Sequence, residues 1–115
     1  MATPPEEFSI TAADHDDRTH LTLRGELDLA TAPELEQLVN ESLDAGQEVV
    51  VDLRGLEFMD SSGIRVLVAA HARAGRAGTR LFVVRPEAGS AVAKIVEVAG
   101  LDRELNTLDD PAQAA

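Results

Sequence analysis

The stretch 48–76 reads EVVVDLRGLEFMDSSGIRVLVAAHARAGR, and its reading decides the fold. Val49, Val50, Val51 and Leu53 form a short β-branched, apolar run of the kind that is covered on both faces of a sheet. A loop follows, in which Leu56 and Phe58 are expected to anchor against the core. A helical period then opens near Ser62, with Ile64, Leu67, Val68 and His71 as the inward stripe and Arg65, Ala69, Ala72, Arg73 and Arg76 toward water. Gly75 and Gly78 end it. With a parallel neighbour at Leu81 to Val84 the whole is a βαβ unit, whose first loop lies at the carboxyl edge of the sheet, where open α/β sheets place their binding sites. Met59, Asp60, Ser61, Ser62 and Gly63 fall there. A serine at such a helix start meets unpaired backbone N–H groups and the positive end of the helix dipole, a setting suited to a phosphate.

Outward toward the N-terminus, Thr31, Ala32, Pro33 and Glu34 have the form of a capping box, with a proline tolerated in the first turn. Leu35, Leu38, Val39, Ser42 and Leu43 then make one core-facing stripe that Gly46 closes, while Glu36, Gln37, Asn40, Glu41 and Asp44 form a solvated face. Before this helix, Phe8, Ile10 and Ala12 alternate in one strand and Leu21, Leu23 and Leu27 in a second. The polar cluster Asp14 to Asp17 joins them as a hairpin. Gly25 inside the second strand marks a bulge or a close backbone approach. Beyond Val84, Pro86 breaks the strand, and a third helix carries Val92, Ile95, Val96 and Ala99 inward before Gly100 stops it. Leu105 to Leu108 makes a short last strand.

Composition narrows the function. A chain of 115 residues supports a single core. There is no cysteine, and the three histidines, His15, His20 and His71, are not spaced as a ligand pair, so no metal or other cofactor is expected. A net charge of -11, with ten basic residues scattered along the chain, excludes a phosphate-binding basic face, so nucleic acid is not an expected partner. No apolar run approaches the roughly 20 residues that span a bilayer, and residues 1–7 are acidic and Pro-rich, unlike a signal peptide. A cytoplasmic monomer is the expectation. Enzyme classes fare poorly: the Gly-x-Ser-x-Gly elbow and the phosphate-loop lysine pattern are missing, the lone Lys94 lies elsewhere, and no histidine is tied to Ser61.

The order and spacing of four segments resemble the anti-sigma-factor antagonists, the small single-domain members of the STAS (sulfate transporter and anti-sigma-factor antagonist) group. These are Gly25-Glu26-Leu27-Asp28 ahead of the first helix, Asp52-Leu53 closing the apolar strand, Phe58-Met59-Asp60-Ser61-Ser62-Gly63 opening the second helix, and Ala99-Gly100-Leu101 closing the third. The resemblance covers nearly the whole chain. It implies an α/β, STAS-type single domain over residues 8–108, with a mixed β-sheet of four to five strands, an N-terminal β-hairpin and three to four α-helices. Residues 1–7 and 109–115 are left as disordered termini.

The resemblance also implies a role for Ser61, as the serine phosphorylated by an anti-sigma factor that is itself a serine kinase. The unmodified form binds that anti-sigma factor and frees the sigma factor, and a separate serine phosphatase resets the switch. Asp28 matches the motif aspartate after the second strand, near the partner surface, and Asp60, Ser62, Gly63 and Arg65 complete the expected contact set. Arg65 departs from many relatives, which have a small glycine at that step of the helix. On sequence physics alone, a serine or aspartate beside a helix start is more often an N-cap, contributing about 1 kcal/mol. Asp28 is as readily a turn residue as an interface contact. The alternative function on the same fold is a STAS accessory subunit of a membrane lipid or anion transporter.

Overall fold

A computed structural model describes residues 8–114. Residues 1–7 and 115, expected among the disordered termini, lie outside the described residues. Five strands form one mixed sheet in the order β1-β2-β3-β4-β5. They are β1 (Ser9–His15), β2 (Arg18–Leu27), β3 (Glu48–Met59), β4 (Leu81–Val84) and β5 (Asn106–Leu108). β1 and β2 make the expected antiparallel hairpin about Asp16, whose φ is +56°. From β2 onward every neighbouring pair is parallel.

The crossovers carry α1 (Ala32–Asp44), α2 (Ser61–Arg76) and then α3 (Ala91–Val98) with the short α4 (Leu101–Glu104). Each crossover steps in the same direction across the sheet, and right-handed connections therefore place all the helices on one face. The main core lies there: Leu21, Leu23 and Leu27 of β2, Val49, Val51 and Leu53 of β3, and Leu81 and Val83 of β4 pack beneath Leu35, Val39, Leu67, Val92 and Val96. On the opposite face Val50 and Val84 form a second, smaller cluster with Phe82, Leu108 and Ala114.

That second cluster explains why the run at 49–51 is apolar without a break, and it revises the expectation for the C-terminus. Residues 109–114, expected as a loose tail, contain a one-turn 3-10 helix (Pro111–Ala114) that buries Ala114 against Val50 and Val84. Gln113 Oε1 accepts from the N–H groups of Asp109 and Asp110 at 2.7 and 3.1 Å, and Arg18 donates to the Ala114 carbonyl. Polar groups that looked solvated in the sequence are thus spent on closing this turn.

Other corrections are local. β3 runs on to Met59 where a loop was expected after Leu53, because β2 extends to Leu27 and pairs in parallel again with Gly55, Leu56, Phe58 and Met59. The ladder absorbs the extra residues by register shifts between Thr22 and Arg24 and between Gly25 and Glu26, the bulge that Gly25 (φ +88°) signalled. Leu56 is buried as expected, but Phe58 is 41% exposed. Thr31 makes no side-chain cap bond. In α2 the buried face consists of Gly63, Val66, Leu67, Ala70 and Ala74, with Ile64, Val68 and His71 only half-buried. Ala99 is exposed at the end of α3, and Gly75 lies within α2 one residue before its end.

Candidate functional site

Leu27 and Met59 are the last paired residues of the β2–β3 ladder, and the Asp60 N–H donates to the Leu27 carbonyl at 3.1 Å. Both strands therefore leave the sheet at one level of its carboxyl edge, one turning into α1 through Asp28 to Thr31 and the other entering α2 at Ser61. Parallel pairing brings Asp28 and the Asp60-Ser61-Ser62 segment to the same end of the molecule.

Asp60 is the N-cap of α2. Its extended backbone (φ -110°) aims the carboxylate at the first turn, where Oδ1 accepts from the Ser62 N–H at 2.8 Å. The Asp60 carbonyl accepts from the Gly63 and Ile64 N–H groups at 3.1 and 3.3 Å. The first-turn amides expected to be free are therefore largely engaged by Asp60. Ser61 is the first helical residue and exposed, and its hydroxyl makes no hydrogen bond among the described residues. Ser62 is half-buried. Arg65, one turn after Ser61 on the same side, is exposed and forms no ion pair among the described residues.

Gly63 lies in the first turn of α2. It is buried beneath the helix start, and a Cβ there would come within 2.7 Å of Leu27 Cδ2 and 2.9 Å of Met59 Cγ. Expected among the contact residues, it has no side chain to offer a partner and serves close packing of α2 on the two strand ends.

Asp28 displays its turn role in full. Its Oδ1 accepts from the Ala30 N–H at 3.0 Å and the Thr31 N–H at 3.2 Å. Thr31 Oγ1 accepts from the Asp28 N–H and donates to the Glu26 carbonyl, both at 2.9 Å. The Thr31 hydroxyl that looked like a helix cap instead ties the turn back to β2. This braced turn presents Leu29, which is 77% exposed. Sequence reading passed over Leu29; the available signal was Asp28, which ends the strand and with it the alternation that would have turned an apolar side chain inward. Phe58 was misassigned for a related reason: Met59 and Leu56 take the inward places, and the irregular ladder leaves Phe58 outside.

A cavity of about 560 Å³ lies elsewhere, beyond β4 between Arg54, Arg85, Pro86 and Val96. Its guanidinium groups are committed to structure. Arg85 donates to Asp102 at 2.9 Å, Asp109 at 2.7 Å and Thr107 at 2.8 Å. Arg54 is held by Asp52. The hydrogen bond from Arg85 holds the Asp102 carboxyl below the usual carboxylate range. No group of three or more metal-ligating side chains placed to hold an ion is found among the described residues, and no described helix is long and apolar enough to cross a membrane.

Comparison with known proteins agrees with this architecture. The family model described as "Mlab, STAS domain" matches residues 10–108. The anti-sigma-F factor antagonist RsfB of Mycobacterium tuberculosis is 34% identical over 110 residues, covering 92% of this chain and 88% of that protein. The anti-sigma-B factor antagonist of Staphylococcus epidermidis is 28% identical over 95 residues, 82% of this chain and 86% of its own. Among solved structures, an anti-sigma factor antagonist from Mycobacterium paratuberculosis superposes with a TM-score of 0.82 at 26% identity, covering 99% of this chain and 95% of that one. With a sheet, crossovers and helix start of this form and a family match along nearly its whole length, the chain belongs to the STAS domain family.

Proposed function

We propose that this protein is an anti-sigma-factor antagonist that works by partner switching in the cytoplasm, with Ser61 as its phosphorylation site. The observation that carries the reading is the exposed, unengaged hydroxyl of Ser61 at the first position of α2, in a chain whose relatives are named antagonists of anti-sigma factors. The unmodified protein binds an anti-sigma factor that is a serine kinase, and the sigma factor is released. In the kinase site the Ser61 oxygen attacks the γ-phosphorus of ATP, ADP departs, and the serine proton passes to a base on the kinase. A serine phosphatase hydrolyses the ester and resets the switch. In this scheme the chain supplies the acceptor and the kinase supplies the catalysis.

The phosphate acts at the interface. It adds about -1.5 to -2 charges beside the Asp60 carboxylate that already occupies the helix cap. The dipole contributes typically 0.3 to 1 kcal/mol to an anion here, which the neighbouring carboxylate offsets, while Arg65 is free to swing toward the ester. Within the domain these effects nearly cancel. Across an interface shaped for a hydroxyl, a hydrated dianion must be desolvated without matched donors, at a cost of several kcal/mol. Affinity for the anti-sigma factor falls while the fold persists.

The test is incubation with each anti-sigma kinase of the same genome and Mg-ATP, followed by mapping of the modified residue. Ser61→Ala is expected to bind the anti-sigma factor and take no phosphate, Ser61→Glu to bind poorly, and Ser62→Ala to remain a substrate. Stoichiometric phosphorylation of Ser61→Ala overturns the site. No phosphate on any serine, with binding to a lipid or anion transporter subunit instead, replaces the reading by the transporter one.

A further inference from the structure

The described residues expose three large apolar side chains, Leu29 and Val98 at 77% and Phe58 at 41%. Two of the three belong to the segments that leave the sheet at the Ser61 end. Leu29 follows β2 by two residues, as Ser61 follows β3, and Phe58 lies in the last pairs of the ladder opposite Glu26. Val98 closes α3, which runs back from the carboxyl edge, so it lies toward the opposite end of the sheet.

Leu29 also stands on a hydrogen-bonded turn. The turn beneath it is held on both sides, by Asp28 Oδ1 accepting from Ala30 and Thr31 and by Thr31 Oγ1 bonded to Asp28 and Glu26. Four hydrogen bonds are thus spent on a turn whose most prominent side chain faces water. An exposed leucine gains nothing for the isolated domain, whereas an apolar group fixed in its bound position loses little conformational entropy when a partner covers it. Of the charged side chains at this end, Glu26, Asp28, Glu34 and Asp60 are acidic and outnumber the basic Arg65 of α2.

From this we propose that Leu29, with Phe58 at the same end of the sheet, is the apolar anchor through which the protein docks on its anti-sigma factor, and that the partner offers an apolar cleft edged with arginine or lysine. The inference rests on the function proposed above. It assigns separate tasks within one surface: Leu29 and Phe58 supply the contact area, the acidic rim matches the basic edge of the cleft, and Ser61 decides whether the two surfaces close. Charge complementarity and the placement of both apolar groups at the Ser61 end single out this partner over a second copy of the chain, whose rim would carry the same sign.

Titration calorimetry of the unphosphorylated protein against the anti-sigma factor shown to phosphorylate it tests the proposal. Leu29→Ala is expected to bind about tenfold more weakly or worse, a loss of about 1.4 kcal/mol or more, with an unchanged urea midpoint. Phe58→Ala is expected to weaken binding in the same direction. Val98→Ala, equally exposed but remote, is expected to bind as the parent does, and added salt is expected to weaken the parent complex. Equal affinity of Leu29→Ala and parent overturns the anchor, as does an equal loss in Val98→Ala. Self-association of the parent that Leu29→Ala abolishes, with anti-sigma binding intact, assigns the patch to a second copy and overturns it too. A parent that binds no anti-sigma factor at all overturns instead the function on which the anchor rests.

Discussion

A single hydrogen atom at Gly63 separates a helix that seats on the strand ends from one that collides with them. The Cβ of an alanine would meet Leu27 Cγ at 2.8 Å and Met59 Cγ at 2.9 Å, and both residues are fully buried. Neither has solvent to move into, so α2 must shift. Gly63→Ala is therefore expected to cost about 1 to 3 kcal/mol through overpacking, read as a lower urea midpoint. If the variant is as stable as the parent yet fails to bind the anti-sigma factor, Gly63 belongs to the contact surface and the packing explanation is wrong. The sequence made this residue legible as part of a motif and silent about its task, since a glycine after two serines looks the same whether it gives way to a partner or to Leu27. Asp60 was legible as a cap, because an acidic side chain ahead of an apolar period has one common use. Asp28 was legible as a turn residue or a contact with nothing to choose between them, because the turn its oxygen serves becomes visible only with the Leu27–Met59 pairing.

At the scale of elements, α2 shows what a hydrophobic pattern leaves out. Its inward face is centred on Leu67 with Gly63, Ala70 and Ala74, and small residues let α1 and α2 approach while adding little to an apolar stripe. Reading the large side chains alone therefore rotated the helix toward Ile64, Val68 and His71. Leu67 is common to both readings, and Leu67→Ala is expected to cost roughly 2 to 5 kcal/mol. Arg73 is half-buried and pairs with Asp44 across to α1, a partly exposed ion pair whose loss in Arg73→Ala costs about 1 kcal/mol or less. Urea titrations of the two variants compare them directly, and similar losses would place α2 in another rotation. The end of β3 was hidden for a different reason. Arg54, Gly55 and Glu57 resemble a loop in isolation, and only the length of β2 shows that the segment stays in the ladder, with Gly55 opposite Arg24 and with Arg54 and Glu57 at the register shifts.

For the molecule as a whole, the two faces of the sheet were unequally readable. The three longer helices announce themselves by their periods, whereas the cover of the other face is a C-terminal turn with the composition of a tail. The amino edge of the sheet holds this cover in place. Glu48 on β3 accepts from Arg18 of β2 at 2.7 Å and from Arg80 beside β4 at 2.7 Å, and the same Arg18 donates to the carbonyl of Ala114. The Arg18 hydrogen bond, chiefly, holds the Glu48 carboxyl below the ordinary glutamate range, against the opposing pull of desolvation and with help from Arg80. A carboxyl lowered in the folded state stabilises it fully above the ordinary glutamate value, and that contribution is lost as the pH falls through the lowered one. Glu48→Gln removes the charge and is expected to cost on the order of 1 kcal/mol at neutral pH. The gap between parent and variant is then expected to close as the pH is lowered into the acid range. Taking the difference cancels the relief of self-repulsion that acid brings to a chain at -11, which both proteins share. Urea titrations of the pair at successive pH values decide the matter. A gap that stays constant into acid would mean that Glu48 stabilises the sheet by packing and neutral hydrogen bonding, and that its charge does not hold Arg18 over the C-terminal turn.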